Sequence, residues 1–260
     1  MYQQKIMQNT VDIEENILKN LRSLSIEKLQ EVLEFTERLR QNSSKEESIS
    51  KSSLSIKLDS FPELVHPDTQ IYLYRNFLND GQPERLYAEL IEHIAWQQDL
   101  IKFYGRKIPL PRLTAWYGDV GISYKYSGIL MHPHPWTPTL SLLKSWIENK
   151  AQHQFNSVLL NQYRNGNDSV AWHSDDEPEL GQNPIIASLS LGSSRKFELR
   201  SRLQPNLDKI EILLNSGDLL IMGEGVQENW QHQIPKMRKV KDTRINLTFR
   251  NILLSTEKVD

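Results

Sequence analysis

Residues 161–177, NQYRNGNDSVAWHSDDE, read as a strand, a turn and a second strand that delivers His173-Ser174-Asp175. Side chains alternate along a strand, so His173 and Asp175 point to one face, two residues apart. An imidazole nitrogen beside a carboxylate oxygen forms two adjacent corners of a metal site. The two-His-one-carboxylate arrangement that suits ferrous iron needs one more His and leaves positions open for other ligands. His232, in NWQHQIP, is the candidate for that third corner. A lone His-x-Asp also occurs by chance on surface strands, so the assignment rests on what else points to the same place.

Outward from this stretch, short strands with turn signals predominate. From Ser157 onward the sequence predicts only strands, at 157–163, 169–174, 185–191, 195–200, 209–214, 218–223, 229–234 and 244–251, punctuated by Gly192, Pro205 and Ser216-Gly217-Asp218. Eight short strands with turn signals between them indicate a sandwich or jelly roll. A jelly roll brings strands distant in sequence together around one mouth, so His173 on the second strand and His232 on the seventh can converge. Upstream, 70–77 reads as a strand and 107–112 (KIPLPR) as extended because of its prolines. Residues 83–96 and 139–153 read as helices, with Leu86, Leu90, Ile91 and Ile94 and with Leu142, Leu143, Trp146 and Ile147 as their apolar stripes.

The first forty residues differ in kind. Ile13, Ile17, Leu18, Leu21 and Leu24, then Leu29, Val32, Leu33 and Leu39, recur at helical spacing, and Ser25 is placed to cap the second helix. Two such short helices do not make a stable core alone, so they are expected to dock on a protein partner or to dimerise. Residues 41–55, QNSSKEESISKSSLS, read as a flexible linker. The expected organisation is a helical appendage at 1–40, a linker at 41–55 and a main domain at 56–260. The fold class is mainly β with flanking helices (α+β), a double-stranded β-helix (jelly roll) core.

Composition narrows the chemistry. The 260 residues are 38% hydrophobic and 25% charged, and there is no cysteine. That excludes disulfides, thiolate zinc sites and cysteine nucleophiles, and leaves His and carboxylates as metal ligands. No apolar run is long enough to span a membrane and residues 1–10 lack a signal-peptide core, so the sequence reads as cytoplasmic (nucleoid-accessible if bacterial), without a membrane partner. The net charge of −2 does not mark a nucleic-acid binder. Local clusters do raise the possibility: Lys102, Arg106, Lys107 and Arg112; Arg195, Lys196, Arg200 and Arg202; and Lys236, Arg238, Lys239 and Lys241. They read either as solvated faces or as a shared phosphate-binding surface.

The last strand, RINLTFR at 244–250, puts Arg244, Asn246, Thr248 and Arg250 on one face and Ile245, Leu247 and Phe249 on the other. In an antiparallel sandwich the polar face can simply meet solvent. Turned inward, it would need anions to offset the burial of two guanidinium groups, and a dicarboxylate supplies them with bidentate geometry.

Taken together, NxYR at 161–164, HxDDE at 173–177, His232 and RxNxTFR at 244–250 resemble the AlkB-type dioxygenases, which depend on Fe(II) and 2-oxoglutarate and repair alkylated nucleic acid. The resemblance runs from about residue 104 to 254. It is closest to the DNA-repair AlkB homologues, including Tyr117-Gly118-Asp119 and 185–192. It implies His173, Asp175 and His232 as iron ligands and Arg244 and Arg250 as partners of the two carboxylates of 2-oxoglutarate. Asn161, Tyr163, Asn246 and Thr248 would add hydrogen bonds to it. It further implies O2 as cosubstrate, and oxidative removal of N-methyl groups of the 1-methyladenine and 3-methylcytosine type from DNA, or from RNA, with release of formaldehyde.

A methylated base must leave its stack to reach such a pocket. By the resemblance, Tyr126 stacks on the flipped base, and Tyr124 and Asp176 contact its edges, with Lys125 between the tyrosines. Phe103-Tyr104-Gly105-Arg106 stands where related duplex-acting enzymes carry an apolar finger that fills the vacated stack. Strand packing for the tyrosines, a solvated acidic turn for Asp176 and Glu177 and a packed loop for 103–106 are the plainer alternatives. The segment at 223–230, GEGVQENW, departs from the usual pattern. The same chemistry on a protein or lipid side chain, or a jelly-roll binding module without catalysis, are the competing functions. His66, His93, His132, His134 and His153 match no part of the pattern.

Overall fold

Two strands, β1 (Glu63–Leu64) and β2 (Ile71–Tyr74), lead into helix α1 (Gln82–His93). Next come the hairpin β3 (Leu100–Phe103) and β4 (Arg106–Pro109), strand β5 (Leu113–Gly118), the hairpin β6 (Tyr124–Tyr126) and β7 (Ile129–Met131), and helix α2 (Pro138–Ala151). This computed structural model describes residues 62–253 except 68, 104–105, 127–128 and 205, and for 101–106 and 124–131 it describes the strand backbone alone. The helices expected within 12–40, the linker at 41–55, Tyr104 and Gly105 lie outside the described residues.

The eight strands from Ser157 onward are β8 (Ser157–Tyr163), β9 (Val170–His173), β10 (Ile186–Gly192), β11 (Arg195–Ser201), β12 (Ile210–Leu214), β13 (Leu219–Met222), β14 (Trp230–Ile234) and β15 (Arg244–Arg250). Their antiparallel pairing is nested: β8 with β15, β9 with β14, β10 with β13 and β11 with β12. That is the topology of a jelly roll. Two further pairings, β10 with β15 and β11 with β14, join them into two sheets. The larger runs β1-β2-β13-β10-β15-β8-β5 and the smaller β12-β11-β14-β9. The expectation of strands alone after Ser157 needs correction at two places: a 3-10 turn at Pro178–Leu180 and helix α3 (Val226–Asn229). Gly225, with φ of 75°, starts α3 in a backbone conformation that a side chain disfavours.

The larger sheet is buried on both faces. On one, Ile245, Leu247 and Phe249 of β15 pack with Leu86 and Leu90 of α1 and with Leu140, Leu143 and Ile147 of α2. Each such side chain contributes roughly 1.5–3 kcal/mol when fully buried. Thr137 caps α2 by accepting the N–H of Leu140, and Pro138 occupies its first turn. On the other face, Ile71, Leu73, Ile186, Leu220 and Met222 meet Phe197, Leu199, Ile212, Leu214 and Ile234 of the smaller sheet. Polar residues fill the rest of the space between the sheets, and the functional residues are among them.

The turn from β8 to β9 aims the His173 strand and is tightly built. Arg164 and Asp168 form a two-pronged pair at 2.7 and 2.9 Å. Gly166 exchanges backbone hydrogen bonds with Val240 and Met237. A Cβ on Gly166 would lie 1.8 Å from the Met237 carbonyl oxygen, and both are fixed by those bonds. Gly166→Ala is therefore expected to cost 3 kcal/mol or more, at the upper end of about 1–3 kcal/mol for overpacking. That corresponds to a fall in melting temperature of roughly 6–12 °C in a domain of this size. A melt within 2 °C of wild type would mean that the turn rearranges freely.

Candidate functional site

His173 ends β9 and His232 lies directly opposite it on β14. Their ring centroids are 4.2 Å apart. Asp175, two residues beyond His173, turns into the same space, with its Oδ1 3.7 Å from His173 Nε2. The three residues each offer one ligand atom, and these atoms lie within 4.8 Å of one another. His173 Nδ1 is 2.8 Å from the Ala171 carbonyl oxygen, which only accepts, so Nδ1 carries the proton and Nε2 keeps its lone pair for a metal.

Electrostatics hold this trio in a form ready for a ligand. Burial pushes the His232 imidazole down to about 4, against a partial rise from Asp175, so it is neutral at physiological pH. Its ring lies nearly parallel to Phe197 at 5.2 Å, and its Nδ1 has no hydrogen-bond partner. Burial acts to raise the carboxyl of Asp175, but Arg250, His232 and His173 outweigh it and hold the group below the ordinary range. Arg250 Nη2 lies 2.9 Å from Asp175 Oδ1. Two imidazoles and a carboxylate are the donor set for Fe(II).

The sign of the His232 shift fixes a pH dependence. In the folded metal-free chain the ring resists protonation until about pH 4, while in the unfolded chain it protonates near 6.5. Between these values the unfolded state binds more protons, so stability falls as pH falls, by an amount on the order of 3 kcal/mol at the acid end. Asp175, whose folded value is lowered, loses its contribution only below the ordinary carboxylate range. Denaturant melts of the metal-free chain are expected to show the loss between pH 6.5 and 4, and His232→Leu to flatten it. An equally steep dependence in that variant would put the protonating group elsewhere.

The polar face of β15 turns inward, toward this trio. Arg244, Asn246 and Thr248 are 1%, 8% and 7% exposed. Arg244 donates Nη2 to Ser190 Oγ at 2.9 Å and sits 5.3 Å from the Tyr163 ring, while its Nε and Nη1 have no partner. Burial lowers its guanidinium to about 10, with Tyr163 opposing the fall. Asn246 donates Nδ2 to Ser188 Oγ and to the Leu189 carbonyl. Thr248 donates to Asn246 Oδ1 at 3.4 Å. Asn161 accepts 2.7 Å from Arg112 Nε through Oδ1, which leaves its amide donors for another acceptor. A fully buried cation with two open donors beside further amide donors is a cradle for an anion with more than one carboxylate.

Residue reasoning missed Ser188 and Ser190, and it placed Arg112 in a basic cluster, where the structure pairs it with Asn161. The alternation SLSL at 188–191 carried a signal for the serines, which pair with Thr248 and Asn246 of β15 and share their inward face. Arg195 needs correction: assigned to a surface basic cluster, it is 0% exposed. Its guanidinium ties the carbonyls of Asn165, Asp168 and Pro235 and lies 5.4 Å from the Tyr163 ring. Arg200 is exposed and stacks at 4.5 Å on Trp172. Lys236, Arg238, Lys239 and Lys241 are exposed, with no ion pair among the described residues.

Asp176 is exposed and paired with Arg202 at 3.1 Å. Glu177 is partly buried; burial and then the charge of Asp175 raise its carboxyl, and its Oε2 has no partner. Tyr124, Lys125 and Tyr126 form β6, and Phe103 and Arg106 face each other across β3 and β4. Of the unmatched histidines, His93 bonds the Glu89 carbonyl, His134 packs on Tyr117 and His153 on Phe155.

A family model described as the 2OG-Fe(II) oxygenase superfamily matches residues 70–250. Over 192 residues the chain is 42% identical to the alpha-ketoglutarate-dependent dioxygenase alkB homolog 3 of Mus musculus, covering 71% of this chain and 66% of that protein. The chain thus spans just under two thirds of that relative's length. It is 33% identical over 191 residues to the DNA oxidative demethylase ALKBH2 of Homo sapiens, covering 70% of this chain and 73% of that one. A solved structure of OsALKBH1 is similar in fold, with a TM-score of 0.54 at 16% identity over 74% of this chain and 100% of that one.

Proposed function

The chain belongs to the 2OG-Fe(II) oxygenase superfamily, in its AlkB-type branch, and on that premise we propose that it is an oxidative demethylase of N-alkylated bases in nucleic acid, DNA first. The observation that carries the reading is Arg244. A guanidinium 1% exposed, with Nε and Nη1 unpartnered, lies on the inward face of β15, the strand whose Arg250 contacts Asp175 of the trio. Such a charge is costly to bury unless an anion completes it, and 2-oxoglutarate is the dicarboxylate whose oxidation this family couples to iron.

When bound, Fe(II) and 2-oxoglutarate would supply the oxidising power, drawn from O2, that hydroxylates an N-methyl group; the product then loses formaldehyde and leaves the unmodified base in its strand. The residues of this chain do the rest. His173 is fixed in its tautomer by Ala171, and Arg250 keeps Asp175 ionised. Ser190 sets the orientation of Arg244, whose Nε and Nη1 are then preformed donors for the cosubstrate. The flanking apolar layer keeps the space between the sheets dry.

Recognition of the base is assigned to Tyr124, Lys125, Tyr126 and Asp176. The carboxylate of Asp176 favours cationic 1-methyladenine and 3-methylcytosine over neutral bases. Phe103, Tyr104, Gly105 and Arg106 are assigned to the strand from which the base is flipped. The exposed cations at 236–241 suit a phosphate backbone. The appendage at 1–40 is assigned to a protein partner or a second copy, tethered by 41–55. Mass spectrometry of oligonucleotides carrying 1-methyladenine or 3-methylcytosine, after incubation with Fe(II) and 2-oxoglutarate, tests the reading. Loss of 14 mass units per lesion (about one methylene) with matching succinate is expected on DNA. Succinate without any change in DNA or RNA would move the substrate to another class.

A further inference from the structure

The chain leaves the smaller sheet at His173, so Ser174 and Asp175 have no place in the β9–β14 ladder. The N–H of Asp175 is nevertheless buried, and a buried backbone donor needs an acceptor. It finds one 52 residues away: the side chain of Gln227, on α3, accepts it through Oε1 at 3.0 Å. One residue earlier, Ser174 Oγ donates to the Trp230 carbonyl at 2.8 Å. Both bonds come from the same turn of helix and its first following residue.

That turn is itself anchored. Val226, Gln227 and Trp230 are 1%, 2% and 5% exposed. The Gln227 amide nitrogen reaches Met222 Sδ at 3.4 Å, which leaves Oε1 aimed at Asp175. Gly223 donates its N–H to the Gln70 carbonyl at 2.8 Å, tying the start of the segment to the chain ahead of β2. The segment 223–230, which departs from the family pattern, is thus the element that grips the Ser174-Asp175 backbone.

We infer that Gln227 is a positioning residue for the metal ligand Asp175, holding its backbone so that the carboxylate faces both imidazoles. Arg250 fixes the carboxylate from its oxygen end, and Gln227 fixes the same residue from its backbone end. Without Gln227, the Asp175 N–H must turn to find water, and the carboxylate turns with it. The inference rests on the metal reading of the trio and adds a residue to it. Partners behind a ligand typically change metal affinity by about 10–100-fold.

The test uses the full chain, stripped of metal, and Gln227→Met, which keeps side-chain length and removes the acceptor. Mn(II) affinity is measured by calorimetry, and amide exchange by NMR in the metal-free state. The expected result is Mn(II) affinity weaker by about tenfold or more, with faster exchange at the Asp175 amide and unchanged exchange in β8 and β15. Mn(II) affinity within twofold of wild type overturns the inference. So does a loss of affinity in which exchange quickens equally across β8 and β15, which would make Gln227 a core residue only. A wild-type chain that binds no Mn(II) overturns the metal reading, and this inference with it.

Discussion

His173→Ala, Asp175→Asn and His232→Ala each bring demethylation to background, a loss expected to exceed the roughly hundredfold that removal of a residue behind a ligand can cause. Each takes one of three protein ligands from one ion. The choice of Asn at 175 matters. Asp175→Ala would leave the Arg250 guanidinium without its 2.9 Å partner, and breaking a buried pair costs about 3–5 kcal/mol, so loss of activity could then reflect loss of fold. An amide keeps an acceptor for Arg250 and removes the charge that holds the metal. His232→Ala breaks no hydrogen bond at Nδ1, because that atom has none. All three variants are therefore expected to melt cooperatively while losing Mn(II) binding. Wild-type turnover by any of them, with iron supplied in excess, would take that residue out of the site.

The sequence carried the strand pattern well and the burial pattern poorly, for reasons visible at individual residues. The pattern of strand-like runs between turn signals located all eight strands from Ser157 to within a residue. It did not say which face of β15 meets solvent. The answer is neither: α1 and α2 cover Ile245, Leu247 and Phe249, so the polar row is left to face the smaller sheet. No local signal encodes that, since the covering helices lie some 100–160 residues upstream. Arg195 is a different failure. Read as one of a run of cations, it looked exposed; read at period two it shares a face with Phe197 and Leu199, both buried, and the structure buries it with them.

The iron ligands were legible because His-x-Asp is local and the third ligand lies in a recognisable motif. Gln227 was not, because its role depends on an N–H left over where β9 ends, and that end is set by the pairing of His173 with His232. The short hairpins β3–β4 and β6–β7 were equally hard to place. Three- and four-residue strands carry too few alternations to separate from extended loop.

Arg244→Met is expected to move stability and function in opposite directions. Burial lowers the guanidinium from its ordinary range to about 10. At neutral pH the group is charged in both folded and unfolded chains, so the shift measures a penalty on the folded state, on the order of 3 kcal/mol. Methionine fills much of the same stem and carries no charge, although it gives up the contact with the Tyr163 ring at 5.3 Å. The metal-free, cosubstrate-free variant is therefore expected to be as stable as wild type or more so, as when buried ion pairs elsewhere give way to apolar residues. The cosubstrate then loses the buried cation that would pair one of its carboxylates. Losing one partner of a buried, hydrogen-bonded charge pair costs about 2–5 kcal/mol, so the KM for 2-oxoglutarate should rise at least tenfold, since 1.4 kcal/mol is one decade. The KM for alkylated oligonucleotide should stay near wild type, and 2-oxoglutarate should no longer raise the melting temperature of the Mn(II)-loaded chain. A variant that is less stable than wild type yet keeps its 2-oxoglutarate dependence would make Arg244 a structural cation satisfied by Ser190 and Tyr163, and would send the search for the dicarboxylate's partner to another residue.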